Sequence, residues 1–233
     1  VFVTSRSKKF FFTNYEYLKI SDRIKFLKLN VLNKIEINKV INKIKPIKIF
    51  YFSGQSSLVK SLKYSKQTLE SNYLGVKNFL EIIEKNKYKT NFFKANSGYI
   101  FSSKSGIVSL KSKLSDSLNP YIKAQIKAFN LIKKFRKKGI NCHSIVMLQV
   151  ESPLRSKHFF VKKVCVKSKL GEKIEVGNIN TVRDYSWASE IALGIHYFSE
   201  TNLKDIILSS GVGISGVEII DEAYKLRKLN SKK

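Results

Sequence analysis

The stretch Ile47–Ser61, "IKIFYFSGQSSLVKS", decides the fold. Six residues, Ile47–Phe52, form an almost unbroken apolar and aromatic run, bounded by Pro46 before it and Ser53-Gly54 after it. A run of that length with such boundaries suits a strand buried on both faces. Similar runs occur at Val1–Thr4, Ile24–Leu29, Asn91–Ala95, Cys142–Val150 and Asp205–Leu208. Between them lie stretches of helical periodicity: Lys34–Ile44, Glu70–Asn86, Tyr121–Lys138, Phe159–Lys169, Ser186–Tyr197 and Ser215–Leu226. In the second of these, Leu74, Phe79, Leu80 and Ile83 share one helical face. Strand and helix in alternation predict a doubly wound α/β fold with a mostly parallel sheet. Ligands of such sheets bind at the carboxyl ends of the strands, so the residues that follow each strand carry the functional information.

Composition narrows the classes. The chain has 233 residues, 43% of them hydrophobic, enough for one full core or two small ones. Lys and Arg total 44 against 17 Asp and Glu, a net charge of +27. That excess raises nucleic acid as a partner. Only Arg6, Arg23, Arg136, Arg155, Arg183 and Arg227 are arginines, however, and the lysines are scattered. The abundance of Lys, Ile, Asn, Phe and Tyr matches translation of an AT-rich genome better than a recognition surface, which favours the arginine fork. A dedicated nucleic-acid module is therefore not expected. Cys142 and Cys165 lack metal-ligand spacing, so neither a metal site nor a disulfide framework is expected, and a reduced, cytoplasmic setting fits. No apolar run approaches the roughly 18 residues that span a bilayer. The sequence opens on Val1 and its one methionine is Met147, which leads us to expect coding sequence upstream of Val1.

After the apolar runs stand "SGQSSLVKS", "NSGYIFS", "NPYIKAQ", "QVESPLRSKHFFVKK" and "VGNINTVRDYSWASE". In this order and spacing the chain resembles the GDP-mannose 4,6-dehydratase family of extended short-chain dehydrogenases/reductases, from Val1 to about Leu226. "ESPLR" is similar to the family's E-S-P-R-R, "GNINTVRDYSWA" to G-N-L-D-x-x-R-D-W-G-H-A, and "KPIKIFYFSGQSSLVKS" to the family stretch ending in A-Q-S-H-V-x-x-S. The resemblance implies a Rossmann-type sheet, here without its first strand and glycine-rich loop. It places a cofactor-binding region at 1–150 and a partial nucleotide-sugar region at 151–233.

It further implies NADP as cofactor, GDP-mannose or a related nucleotide sugar as substrate, and a homo-oligomer. Carried over position by position, Arg6, Asn30, Gln55, Ser56, Ser61, Tyr121 and Arg155 fall at cofactor positions. Gln149, Lys163, Asn178 and Arg183 fall at substrate positions. Tyr121 matches the family's catalytic tyrosine and Ser97 its hydroxyl residue. Two departures bear on activity: Gln125 stands where the family carries the lysine that activates the tyrosine, and Tyr99 where it carries the eliminating glutamate. Asn30 replaces an acidic residue, and Leu154 replaces the first arginine of E-S-P-R-R. Three functions follow as expectations: an NADP-dependent dehydratase, a catalytically impaired relative that keeps nucleotide-sugar or subunit binding, and, remotely, a basic nucleic-acid binder.

Overall fold

The computed structural model describes residues 1–7, 12–103 and 105–229. The chain divides into two compact units, Val1–Val146 with Leu203–Ile206, and Met147–Asn202 with Ile207 onward.

The first unit runs β1 (Phe2–Ser5), α1 (Phe12–Tyr17), β2 (Lys25–Lys28), α2 (Lys34–Ile44), β3 (Lys48–Tyr51), α3 (Leu58–Lys63), α4 (Ser65–Leu69), α5 (Gly75–Lys85), β4 (Asn91–Ser97), α6 (Pro120–Lys137) and β5 (Cys142–Met147). β6 (Gln149–Glu151), α7 (Phe160–Leu170), β7 (Val182–Trp187), α8 (Ala188–Ser199), β8 (Asp205–Leu208), β9 (Gly213–Ser215) and α9 (Gly216–Lys225) follow. β1 and β2 pair in parallel, β3 pairs in parallel with β4, and the four-stranded sheet has the order β3-β4-β5-β8. A second sheet, β6-β7-β9, is mixed, with β6 parallel and β9 antiparallel to β7. The expected parallel α/β architecture is present, with two elaborations. The apolar run Cys142–Val150 breaks at Leu148, where the chain passes from the β5 sheet to the β6 sheet. The stretch Val182–Trp187, expected in part to begin a helix, is the central strand of that second sheet.

Local chemistry sets the boundaries. Asn33 caps α2 by accepting from the backbone N–H groups of Ile35 and Glu36, at 3.0 and 3.2 Å. Glu36 reaches back to the backbone N–H of Asn30 at 2.8 Å, which ties the turn after β2 to the helix. Lys45, left-handed with φ 47°, closes α2 directly before Pro46. Ile37 and Ile41 on the inner face of α2 join Leu80 and Ile83 of α5, Phe92 of β4, Ala128, Ile132 and Phe135 of α6, and Cys142 of β5 in one core. Between α4 and α5 the helix passes through a single π turn, Glu70–Leu74, without leaving helical backbone angles at its ends. Gly75 permits that path: a Cβ there would lie 2.1 Å from Tyr51 Oη.

On the other face of the sheet Phe93 stacks between Phe50 and His143, at 5.0 and 4.6 Å between ring centroids. Arg136, near the end of α6, fastens the returning segment Leu203–Ile206 to β5. Its guanidinium donates to Asp205 (3.0 and 2.7 Å) and to the carbonyls of Cys142 and Lys204 (3.0 Å each). Both charged side chains are mostly buried, so removing the cation leaves a carboxylate and two carbonyls short of donors. Arg136→Leu is expected to cost about 2–3 kcal/mol, read as a lower urea midpoint at unchanged m-value. A loss below about 0.5 kcal/mol would contradict this account.

The second unit has its own small core of Val164, Ile220 and Tyr224, lined by Phe160, Ile174, Val176 and Ile179. Ser215 and Glu218 form a capping box at the start of α9. Tyr224 donates to the Glu172 carbonyl at 2.6 Å. Asp184 accepts the backbone N–H groups of Ser210 and Gly211 at 2.9 and 2.7 Å, so its carboxylate builds the turn before β9.

Candidate functional site

Three strand ends open onto one cleft. Ser5 and Arg6 at the end of β1, Asn30 after β2, Gln55 after β3, and Glu70 and Ser71 of the π turn line a space of about 390 Å³. Arg6, Asn30 and Gln55, which are 24 or more residues apart in sequence, thus come together at the carboxyl ends of parallel strands, where α/β sheets bind ligands. Asn30 is held as part of a turn, with its Oδ1 accepting from Leu32 N at 3.1 Å. Gln55 is fixed at both ends: its backbone N–H donates to Ser71 Oγ at 3.3 Å, and its Nε2 donates to the Ser57 carbonyl and Thr68 Oγ1 at 2.8 and 3.2 Å. Ser56 beside it is exposed.

Tyr121 stands in the first turn of α6. Asn119 caps that helix through Oδ1, which accepts the Tyr121 N–H at 3.0 Å, and Pro120 supplies the preset φ of the first helical position. The same Oδ1 lies 3.1 Å from Ser61 Oγ, and Asn119 Nδ2 donates to the Leu58 carbonyl at 3.3 Å. Ser61 is therefore fully buried and joins α3 to the start of α6. Ser97 ends β4 and accepts from Tyr99 N at 3.3 Å, capping the short turn Gly98–Ile100.

Gln125 follows Tyr121 by one helical turn, on the same face, and is 4% exposed. Both ends of its amide are hydrogen-bonded. Oε1 accepts from Lys94 Nζ at 3.3 Å, and Nε2 donates to Asn72 Oδ1 at 2.9 Å. Asn72, in the π turn, donates onward to the carbonyls of Gln55 and Thr68, both at 3.0 Å. The Gln55 loop closes on Asn72 because residue 54 is glycine at φ 149°; a Cβ there would lie 2.3 Å from Asn72 Oδ1.

Lys94 is the chemical anomaly. It lies inside β4, is 1% exposed, and its ammonium also bonds the Ala95 carbonyl. The Tyr51 ring faces it, with Nζ 5.8 Å from the centroid. Among the described residues no carboxylate pairs with it, and burial lowers its pKa to about 7. Burial likewise raises the phenol of Tyr51, which donates to the Ser71 carbonyl at 2.6 Å. Asn96 shares the Lys94 face of β4 and is buried with neither side-chain amide atom hydrogen-bonded.

The remaining sequence candidates belong to the second unit. Arg155 sits over the Phe159 ring at 3.9 Å, lies 3.5 Å from Glu151 and donates to the Val150 carbonyl. Burial raises the Glu151 carboxyl, with Arg155 opposing. Gln149 pairs with Tyr185 in the sheet, and Arg183 pairs with Ile214. Lys163 donates to the Glu175 carbonyl, and the exposed Asn178 accepts from Asn180 N at 3.0 Å. Lys94, Asn72 and Asn119 were not singled out from the sequence. The one visible signal was a lysine inside the otherwise apolar start of "NFFKANS", Asn91–Ser97.

Among the described residues no cluster of His, Cys, Asp or Glu could hold a metal ion, and no helix is long and apolar enough to cross a membrane.

The family model for GDP-mannose 4,6 dehydratase matches residues 1–231. A GDP-mannose 4,6 dehydratase of Drosophila melanogaster is 23% identical over 197 residues, covering 80% of this chain and 50% of the relative. The GDP-mannose 4,6-dehydratase sdnI of Sordaria araneosa is 21% identical over 200 residues, covering 81% of this chain and 36% of the relative. The chain thus spans about half or less of these relatives. Among solved structures, a dTDP-glucose 4,6-dehydratase from Streptomyces venezuelae with NAD bound superposes with TM-score 0.89 at 13% identity, covering 100% of this chain and 73% of its own. A Bacillus cereus UDP-glucuronic acid 4-epimerase in complex with UDP-glucuronic acid and NAD gives 0.84 at 16% identity, covering 98% and 73%. These structures share the Rossmann-type fold.

Proposed function

The chain belongs to the GDP-mannose 4,6-dehydratase family, and from that premise we propose that it binds a nicotinamide dinucleotide, NADP, together with a nucleotide sugar, GDP-mannose or a close relative. The observation that carries the reading is the cleft where Arg6, Asn30 and Gln55 meet at three strand ends. Its residues fit the adenosine end of such a cofactor. Arg6 offers a planar, permanent cation for a phosphate, Asn30 offers an amide for base or ribose, Glu70 offers an acceptor for hydroxyl groups, and Gln55, its amide hydrogens already given to Ser57 and Thr68, shapes the wall between them. A dinucleotide bound there would supply hydride transfer at a sugar carbon.

The chain's own contribution is to hold and move protons. Tyr121 is the proton acceptor for a sugar hydroxyl, set by the Asn119 cap at the first turn of α6. Ser97, at the end of β4, is a hydrogen-bonding partner for the same sugar. In the second unit Asn178 and Arg183 are the groups for the nucleotide diphosphate, with Arg183 suited to bidentate phosphate contact, and Lys163 and Gln149 are further substrate-binding groups.

A second reading, binding without efficient turnover, is favoured by two substitutions. Tyr99 presents a phenol where elimination needs a carboxylate, and Gln125 presents an amide already shared between Lys94 and Asn72.

Calorimetric titration with NADP⁺, NAD⁺ and GDP-mannose tests the binding that both readings require. Arg6→Ala is expected to weaken NADP⁺ binding about 10- to 100-fold, the worth of one charge-assisted phosphate contact, while leaving NAD⁺ nearly unchanged. Absence of binding by all three ligands to the unmodified chain would sink the reading. Equal loss of NADP⁺ and NAD⁺ affinity would remove Arg6 from the 2′-phosphate.

A further inference from the structure

We propose that Lys94 is a positioning residue of this site: through Gln125 and Asn72 it holds the Gln55 loop at the lip of the cleft, and it brings in from β4 a protonatable amine beside the helix that carries Tyr121. The functional part of this rests on the nucleotide-binding reading above; the structural part does not.

A lysine buried without a carboxylate is costly, and methionine or leucine would fill the same volume at no electrostatic cost. Its amine is nevertheless directed at a particular atom. An ammonium has only hydrogen-bond donors, so it fixes which end of the Gln125 amide faces it: Oε1 must turn toward Lys94. That leaves Nε2 to face Asn72, which must then present Oδ1. Asn72 in turn has only its Nδ2 left for the carbonyls of Gln55 and Thr68. One cation thus sets the sense of two buried amides and ends at the backbone of the loop that lines the cleft. An apolar residue at position 94 removes the donor that sets this sense, and both amides become free to flip.

The same bonds bring the Lys94 amine close to the Tyr121 helix. Gln125 lies one turn from Tyr121, and Lys94 Nζ stands 3.3 Å from its Oε1. The titratable group facing Lys94 from β3 is Tyr51; α6 and the π turn present the neutral amides Gln125 and Asn72.

Hydrogen exchange on the chain as it stands tests the proposal without any ligand. Lys94→Met is expected to raise exchange at the Gln55 and Ser57 amides about ten-fold or more, with the amides of Phe92 and Ile145 in the sheet still protected. Methionine preserves the volume, so a purely packing role predicts no change at the loop. The exchanged pair Lys94→Gln/Gln125→Lys, which delivers the amine from the helix to a strand amide, should restore protection to within about three-fold. Asn72→Leu cuts the same chain one link further on and should expose the loop as Lys94→Met does, which covers the case of a Lys94 variant that fails to fold. A loop as protected in Lys94→Met or Asn72→Leu as in the unmodified chain overturns the proposal, as does an exchanged pair no better than Lys94→Met. NADP⁺ titrated into the same samples should bind Lys94→Met about ten-fold more weakly. If NADP⁺ fails to bind even the unmodified chain, the nucleotide-binding reading fails while the exchange result still decides the role of Lys94.

Discussion

Between pH 6.5 and pH 9.5 the stability of the unmodified protein is expected to gain about 3 kcal/mol relative to that of Lys94→Met. Lys94 has a pKa of about 7 in the fold and about 10.4 in an unfolded chain. Between those values the unfolded state binds more protons than the folded one, so this group makes stability rise with pH across the window. Near and below pH 7 the full cost of burying the charge is present. As the pH climbs toward 10 that cost fades, because the amine is already neutral in the fold while the unfolded chain holds its proton less and less tightly. Methionine cannot titrate, and the other lysines and the tyrosines contribute equally to both proteins, so the difference isolates Lys94. Urea midpoints of the two proteins at both pH values provide the measurement, and two parallel stability curves would refute the assignment. Loss of loop protection in this variant alongside higher global stability near neutrality would separate its two effects.

The second large effect concerns position 125. The family resemblance suggests that Gln125→Lys restores the lysine that works with Tyr121. In the structure the new ammonium meets Lys94 Nζ, which already stands 3.3 Å from the Gln125 amide in a space closed to water. Two amines cannot both be charged there, so Gln125→Lys alone is expected to destabilise the protein by about 3 kcal/mol or more at pH 7. Lys94→Gln in the same chain removes the conflict and should recover most of that loss, giving a coupling of about 2 kcal/mol in the double-mutant cycle. Catalysis should follow the same order. The unmodified chain is expected to convert GDP-mannose at least about 10³-fold more slowly than family members with both lysine and glutamate. The exchanged pair should gain single-turnover cofactor reduction, and Tyr99→Glu added to it should yield the 4-keto-6-deoxy product. An additive cycle would show that the two positions do not share one charge site. Robust turnover by the unmodified chain would show that another group does the work of the missing carboxylate.

Much of the first unit could be read from the sequence because its signals are local. α2 spans Lys34–Ile44, as its periodicity predicts, and α6 differs from the expected helix by one residue at each end. The short helices α3 and α4 were missed: at six and five residues they are too short to show a period. β7 was missed because its apolar ends, Val182 and Trp187, are exposed and its one buried residue, Ser186, is polar, so no buried apolar alternation marks it. The candidate site divides in the same way. Tyr121 and Gln125 are visible together because one helical turn relates them. The Lys94–Gln125 and Gln125–Asn72 bonds join residues 31 and 53 positions apart, and no period connects a strand lysine to a π-turn asparagine. The cleft was legible in part, since the rule of strand carboxyl ends pointed to the Gln55 stretch and the family resemblance to Arg6 and Asn30, but neither pointed to the π turn that forms its far wall.

The first unit is completed only after the chain has made a long excursion outside it. Its chain leaves after Val146 and returns only at Leu203, so about 56 residues must be made in between, roughly 3 to 11 seconds of translation. Throughout that interval β5 has an open edge toward the place of β8, and Arg136 lacks the Asp205 carboxylate and the Lys204 carbonyl. Ser144 N and His143 Nδ1 likewise wait for Lys204 and Leu203. A nascent chain paused in this region presents a hydrophobic strand edge to its neighbours on a polysome. The yield of folded protein should therefore depend on how quickly ribosomes pass from the codon for Met147 to that for Ile206, a sensitivity set by the discontinuity of the unit and not by the strength of any contact within it.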